Sequence, residues 1–234
     1  FAYLNDANNQ NPLYNNYFVG KRTDYAVSEK MIGTLEDLED PRLPVYAEKV
    51  VQGGGYKGMP YGLANADDDL NQETVSLIGK KFTAQNYGLP ITTYALIQFM
   101  LAEAAFRGWG TGDAATFYRK GIEASMQQQG VTAPASYYTQ SGVAYSAANG
   151  LKLIITQKWL ANYQANGYES WVDWRRTGFP ELHPGPAPLS IDKKIPVRQA
   201  YPNTEAGLNG KNYEAAVAAQ GPDELNTRLW WDTK

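Results

Sequence analysis

The residue types that could do chemistry are few in this chain, and they are poorly grouped. Gly53-Gly54-Gly55-Tyr56-Lys57-Gly58 has the spacing G-x-G-x-x-G. A dinucleotide site needs such a turn to open a helix, whose first N–H groups then hold the pyrophosphate. Met59-Pro60-Tyr61-Gly62 follows here, which reads as loop, and Gly58 lacks the Lys-Ser/Thr of a phosphate loop. His183, the sole histidine, stands in Leu182-His183-Pro184-Gly185-Pro186 with no second His to share a metal and no helix to aim it. It reads as a surface loop residue. Asp67-Asp68-Asp69 offers oxygens suited to calcium but lacks the alternating ligands and distal Glu of an EF loop, so a solvated acidic turn is the simpler account. Glu169 and Asp173, at i and i+4, form an acid pair of the kind a glycosidase sets across a cleft. Arg175 and Arg176 lie beside them, and ion pairing that orients a helix explains the group without catalysis. No Ser occupies a G-x-S-x-G elbow. With no Cys there is no thiol nucleophile, disulfide or zinc ribbon. The reading is no catalytic residue, no metal set and no cofactor.

The one excess is aromatic, at 13% of residues with 17 Tyr and 6 Trp. These side chains join an apolar face to a polar tip, which suits both cores and wet binding surfaces. Sugar rings expose C–H faces that stack on aromatics, while their hydroxyls need amides or carboxylates close by. The loop aromatics Tyr56, Tyr61 and Tyr87, with Asn65 and Asn86 near them in sequence, are therefore the candidate ligand-binding residues, and Asp67 is a further polar group in the loop. Trp171, Trp174, Trp230 and Trp231 flank apolar helices or the chain end and read as core.

The elements that must position these residues are mainly helical. Val27, Met31, Leu35 and Leu38 share one helix face, with Ser28 as N-cap and Asp40-Pro41 as the stop. Tyr94 to Arg107 is apolar almost all round, interrupted by Gln98, Glu103 and Arg107, and such a helix is buried on most sides. Gly108 to Gly112 turns the chain and Asp113 caps the next helix, so the pair forms a hairpin the size of one tetratricopeptide unit. The spacing predicts further helices over 150–166 and, in short form, over 205–208 and 212–219. Two Trp three residues apart, at 171 and 174, lie on one helix face that ends at Gly178 and Pro180. Residues 44–90 are the least regular stretch, Gly- and Tyr-rich, with short strands expected at 45–51 and 74–78. Long loops of this kind inside a domain usually serve a function. Six prolines between 180 and 202 make that segment a loop laid over a surface.

Length and composition bound the rest. At 234 residues the chain can bury one sizeable core or two small ones. Apolar residues at 43% and charged residues at 19% describe an ordered protein. A net charge of −3 without a basic stripe offers nothing to nucleic acid. No apolar run reaches the roughly 18 residues needed to span a bilayer, and no secretory signal is visible. The chain opens on Phe1 and reads as a processed piece of a longer protein.

The segments QKWLA (157–161), GYESWVDWRRTGFP (167–180), IPVRQAYPNTEAGLN (195–209) and the terminal RLWWD (228–232) resemble the C-terminal half of SusD/RagB-like proteins. The Asp40-Pro41-Arg42-Leu43 turn and LAEAAFRGWGTGDAATFYRKGIEASM (101–126) fit the same family. The resemblance implies a mostly α fold of tetratricopeptide-like helical pairs with long irregular loops. It implies that residues 1–234 are the C-terminal portion of one domain, with a loop-rich binding subregion at about 44–92. It further implies a non-enzymatic, lipid-anchored outer-membrane protein of Bacteroidetes that holds an oligosaccharide for a SusC-like TonB-dependent transporter. The lipid-bearing segment and the N-terminal half would lie before Phe1. Two other classes stay open on sequence: a helical protein-interaction scaffold, and a glycoside-acting enzyme with two carboxylates facing across a cleft.

Overall fold

A computed structural model describes residues 1–22, 24–65, 67–188 and 193–232. Helices dominate among them, and extended segments meet only as isolated bridges. The chain forms two compact units: Phe1–Tyr61 with Ala66–Pro180, and Gly62–Asn65 with Glu181–Lys234.

In the first unit the helix starts follow from local caps. The Ser28 hydroxyl accepts the Met31 N–H at 3.3 Å and opens α2 (Glu29–Asp37). α2 follows a single-turn α1 (Pro12–Tyr14) capped by Asn11. Thr93 caps α5 (Tyr94–Phe106) through the Leu96 N–H at 3.0 Å, and Asp113 caps α6 (Ala114–Gln129) through the Thr116 N–H at 2.8 Å. Each oxygen satisfies a donor that the first helical turn leaves without a partner. Between α2 and α5 lie two one-turn helices, α3 (Leu43–Tyr46) and α4 (Lys80–Thr83).

Two expectations of secondary structure are corrected. The helix predicted over 150–166 is α7 (Gly150–Ala161), which stops at Asn162; the Asn166 side chain then accepts the Glu169 N–H at 3.2 Å and opens α8 (Gly167–Thr177). Asn competes for backbone groups inside a helix but serves well at its ends, so Asn162 and Asn166 divide what the apolar spacing joined. The strands expected at 45–51 and 74–78 do not form. Pro44 starts the α3 turn, and only afterwards do Ala47 and Ile78 make one antiparallel bridge. Gly53, Gly54 and Gly55 then turn the chain back with positive φ, leaving too little length for a ladder.

α5, α6 and α7 pack on one another and α8 packs on α7. Gly121 lets α6 approach α5, since a Cβ there would stand 2.7 Å from the Phe99 ring. Tyr46 stacks on Tyr163 at 4.4 Å, and Phe82 meets both rings edge-on. At the centre is an ion pair. Arg42 and Asp40 are both buried, with Nη2 to Oδ2 at 2.6 Å and Nε to Oδ1 at 2.9 Å. Arg42 also donates to Ser125 Oγ at 2.9 Å and Gln157 Oε1 at 2.8 Å, while the Tyr137 hydroxyl donates to Asp40. The turn at 40–42 is thereby tied to α6, to α7 and to the 135–138 turn.

Burial pushes the core phenols up, Tyr17 and Tyr46 to about 12 and Tyr118, Tyr137 and Tyr163 beyond that. A raised folded value means the stabilisation is complete below the ordinary phenol value of 10.0 and is lost as pH rises from there through the folded values. Ultraviolet titration is expected to show these tyrosines ionising only as the fold melts. Ionisation of all of them near pH 10 with circular dichroism unchanged would refute this.

The second unit holds α9 (Glu205–Leu208) and α10 (Gly210–Gln220), close to the expected short helices. Buried Arg198 bonds Asp223 at 2.8 Å and lies 5.1 Å from the centre of the Tyr201 ring, which meets Tyr213 edge-on at 5.7 Å. The tryptophans depart from expectation. Trp230 is 87% exposed and Trp231 is exposed as well, and among the described residues no helix follows α10. Trp171 and Trp174 are half-buried, with the Arg175 guanidinium 4.2 Å from the centre of the Trp171 ring. No helix of the described residues is long and apolar enough to cross a membrane.

Candidate functional site

In the first unit, residues 53–61 and 67–87 are irregular apart from α4, but they are anchored. Ser76 and Lys57 exchange bonds, the Ser76 N–H to the Lys57 carbonyl at 2.7 Å and the Lys57 N–H to the Ser76 hydroxyl at 3.0 Å. Met59 donates to the Val27 carbonyl at 2.7 Å and accepts from the Glu29 N–H at 2.9 Å. At the other end Asn11 Nδ2 donates to the carbonyls of Phe82 and Ala84, and Ala2 bridges to Gly88. The loop therefore hangs on the start of α2 and on the N-terminal arm.

The five candidate residues do not share one environment. Tyr56 is half-buried against the core, and burial, with the Glu48 carboxylate contributing, raises its phenol. Tyr87 is half-buried too, its ring edge-on to Phe82 at 5.5 Å, and burial raises its phenol. Both therefore support the core as well as the surface. Tyr61 is 44% exposed, and Asn86 is exposed beside Tyr87. Asn65 is exposed but belongs to the second unit, so the sequence grouping of Tyr61 with Asn65 crosses a unit boundary. Asp67 accepts the Asp69 N–H at 3.0 Å and closes the acidic turn on itself.

Sequence reasoning missed the aromatics of the arm. The Tyr3 N–H reaches the Tyr87 carbonyl at 3.5 Å, and exposed Phe1 packs edge-on against Tyr3 at 5.0 Å. Nothing local in the sequence joins the arm to residues 87–89; the Ala2–Gly88 bridge, the Tyr3 bond and the Phe1 ammonium, which donates to the Leu89 carbonyl at 2.9 Å, do.

The remaining groups are occupied structurally. The Gly53–Gly58 run opens no helix; the next begins at Lys80. Asp173 is buried between Lys158 at 2.7 Å and Arg176 at 2.8 Å, and Arg176 also bonds Glu103 Oε2 at 2.8 Å. Burial alone would raise the Glu103 carboxyl, but Arg176 and Arg107 more than offset it and hold it below its usual range. Through these ion pairs the two acids join α5, α7 and α8. His183 is exposed, and among the described residues no three His, Cys, Asp or Glu gather as a metal site would require. What the loop can do is stack an aromatic face on an apolar one and offer amides at its rim.

The family model SusD-like_2, described as starch-binding associating with outer membrane, matches residues 1–202. No curated protein matches the chain. A SusD homologue from Bacteroides fragilis is 27% identical with a TM-score of 0.81, over 100% of this chain and 56% of that one. A chitin-binding SusD homologue from Flavobacterium johnsoniae is 26% identical with a TM-score of 0.78, over 98% of this chain and 53% of that one. A SusD homologue from Bacteroides thetaiotaomicron is 27% identical with a TM-score of 0.76, over 89% and 52%. The chain thus spans little more than half the length of these solved relatives. With the family model covering most of its length and the fold agreeing throughout, the chain belongs to the SusD-like family.

Proposed function

We propose that this chain is part of a non-catalytic protein that binds an oligosaccharide or related nutrient and passes it to a SusC-like TonB-dependent transporter. Its place would be the outer membrane of a Bacteroidetes cell, held by a lipid on a segment before Phe1, with both compact units parts of one SusD-like domain. The observation that carries the reading is the anchored loop of 53–87, which presents Tyr61 and Asn86 from a rigid helical frame. Binding residues concentrate on such loops, and aromatics there lose little side-chain entropy on ordering. The family description and the chitin-binding relative support a glycan as ligand. Non-catalysis is supported by the ion-paired state of Glu103 and Asp173.

Calorimetry of the full-length protein against chitin and starch oligosaccharides tests the reading. Tyr61→Ala is expected to weaken binding roughly 3- to 10-fold, the worth of one stacked aromatic contact, with little change in melting. Tyr87→Ala is expected to lower the melting temperature as well, because its ring supports Phe82. Unchanged affinity in Tyr61→Ala removes the loop from the site. Turnover of a bound sugar that is lost with one acid-to-amide change removes the non-catalytic reading.

A further inference from the structure

We propose that Asn209 is a site of spontaneous modification, at which the side-chain amide is lost to the Gly210 nitrogen and water then leaves aspartate or isoaspartate in its place. This is independent of the glycan reading. Asn-Gly pairs stand at 149–150, 166–167 and 209–210. Glycine after asparagine favours the reaction, because no Cβ hinders the approach of its nitrogen to the amide carbon. The three dipeptides are identical, but their surroundings are not.

Asn149 is exposed, yet the peptide it must swing is locked. The Gly150 N–H donates to the Ala147 carbonyl. Gly150 is buried, and a Cβ there would stand 2.7 Å from the Phe106 ring. Asn166 is half-buried, and its side-chain oxygen caps α8 through the Glu169 N–H at 3.2 Å. Its carbonyl accepts the N–H and the hydroxyl of Ser170 at 3.3 and 3.2 Å. Attack there would cost α8 its N-cap.

Asn209 is exposed in the one-residue break between α9 and α10, beside Leu208, which is 86% exposed. Its φ of −139° and ψ of 36° belong to neither helix nor strand. The α9 ladder ends with the Asn209 N–H on the Glu205 carbonyl at 2.9 Å, which leaves the Gly210 N–H without a backbone acceptor among the described residues. Only side chains hold the amide: Nδ2 donates to Glu205 Oε1 and Oδ1 accepts from Asn212 Nδ2, each at 2.6 Å. The Asn212 donor draws charge from the amide carbon and makes it a better electrophile. The Asn209 carbonyl accepts the Asn212 and Tyr213 N–H groups at 3.1 and 3.0 Å, bonds of a first helical turn that opens readily.

The Gly210 nitrogen bonds to Cγ as the Cγ–Nδ2 bond breaks. The Gly210 proton leaves with Nδ2 as ammonia, and a cyclic imide remains. Water opens the imide at Cγ to give aspartate, or at the backbone carbonyl to give isoaspartate. Either product sets a carboxylate beside Glu205 where a hydrogen bond stood. Isoaspartate also carries the main chain through its side-chain carbon, so α9 and α10 lose their present join.

The test holds the full-length protein in warm, mildly alkaline buffer. Peptide mass spectrometry follows the three sites, and isoaspartyl methyltransferase detects the isoaspartate. Trypsin releases Asn209 in the peptide 199–211, and fragmentation separates it from Asn203. Conversion at 209 is expected to run about 10-fold faster than at 149 or 166 in the native fold, and the three rates to converge in denaturant. A Cβ at Gly210 meets nothing within 4 Å. Gly210→Ala is therefore expected to slow conversion about 10-fold without lowering the melting temperature. Conversion at 209 no faster than at the other two sites in the native protein overturns the proposal. So does a rate that Gly210→Ala leaves unchanged. A lead at 209 that persists in denaturant also overturns it, since neighbouring residues and not the fold would then be the cause.

Discussion

Arg42→Ala is expected to cost roughly 3–5 kcal/mol of folding stability, the range seen when one partner of a buried ion pair is removed. That is a large part of the total for an ordinary domain. The guanidinium is fully buried and makes four hydrogen bonds of 2.9 Å or less, two to Asp40 and one each to Ser125 and Gln157. Its loss leaves the Asp40 carboxylate in a dry site with the Tyr137 hydroxyl as its remaining side-chain donor. The pH dependence should change sign with it. In the native protein burial alone would raise the Asp40 carboxyl, but Arg42 holds it below 3.8, so its stabilisation is complete above 3.8 and lost as pH falls through the lowered value. In Arg42→Ala burial is opposed only by the hydrogen bonds from the Tyr137 hydroxyl and the residue-42 N–H, the carboxyl rises, and stability should improve on mild acidification. Denaturant midpoints across the acid range measure both effects. Asp40→Leu combined with Arg42→Met should lose much less than either change alone, since no charge is left stranded. A single-mutant cost below about 1 kcal/mol would show that the pair is not the keystone its geometry suggests.

How much of this could be read in the residues depends on how far apart the partners lie. Ser28, Thr93 and Asp113 act on groups three residues away, so the starts of α2, α5 and α6 were legible or nearly so from sequence. The α5–α6 hairpin was legible for the same reason, since the glycines of 108–112 join adjacent helices. The Arg42 network was not. The turn at 40–43 could be seen, but Ser125 and Gln157 are 83 and 115 residues away, and a Ser or Gln in a helix carries no sign of a buried arginine. Helix ends inside apolar runs were half legible: 3.6-residue spacing continues through Asn162, and only the caps reveal the break between α7 and α8. The candidate site shows the same division. That residues 53–87 form an irregular Gly-rich segment followed from composition. That Tyr87 leans on Phe82 while Tyr61 faces outward did not, because each is a loop tyrosine followed by glycine and what packs behind the ring is set by distant residues.

Gly58→Ala is expected to destabilise the fold by roughly 2–4 kcal/mol, through overpacking and the loss of paired backbone groups. It should loosen the proposed ligand surface at the same time. A Cβ at position 58 would stand 2.2 Å from Glu29 Cα and 2.5 Å from Glu29 N. These are backbone atoms at the start of α2, where no rotamer change can relieve the overlap. The chain must withdraw, and the bonds from Met59 to Val27 and from Glu29 to Met59 then lengthen or break. Those bonds fix the segment that carries Tyr56 and Tyr61. Gly53, Gly54 and Gly55 provide the contrast: a Cβ on any of them meets nothing within 4 Å, and only their positive φ resists substitution. Replacing one of those three by Ala should therefore cost about 1 kcal/mol and leave ligand binding nearly intact. Thermal melting and oligosaccharide titration of the two classes of variant in the full-length protein separate clamp from tip. If Gly58→Ala melts like the native protein, the close approach of residue 58 to α2 does not hold the loop. If it melts early yet binds with full affinity, the surface that stacks the sugar lies elsewhere than on the segment Gly58 pins.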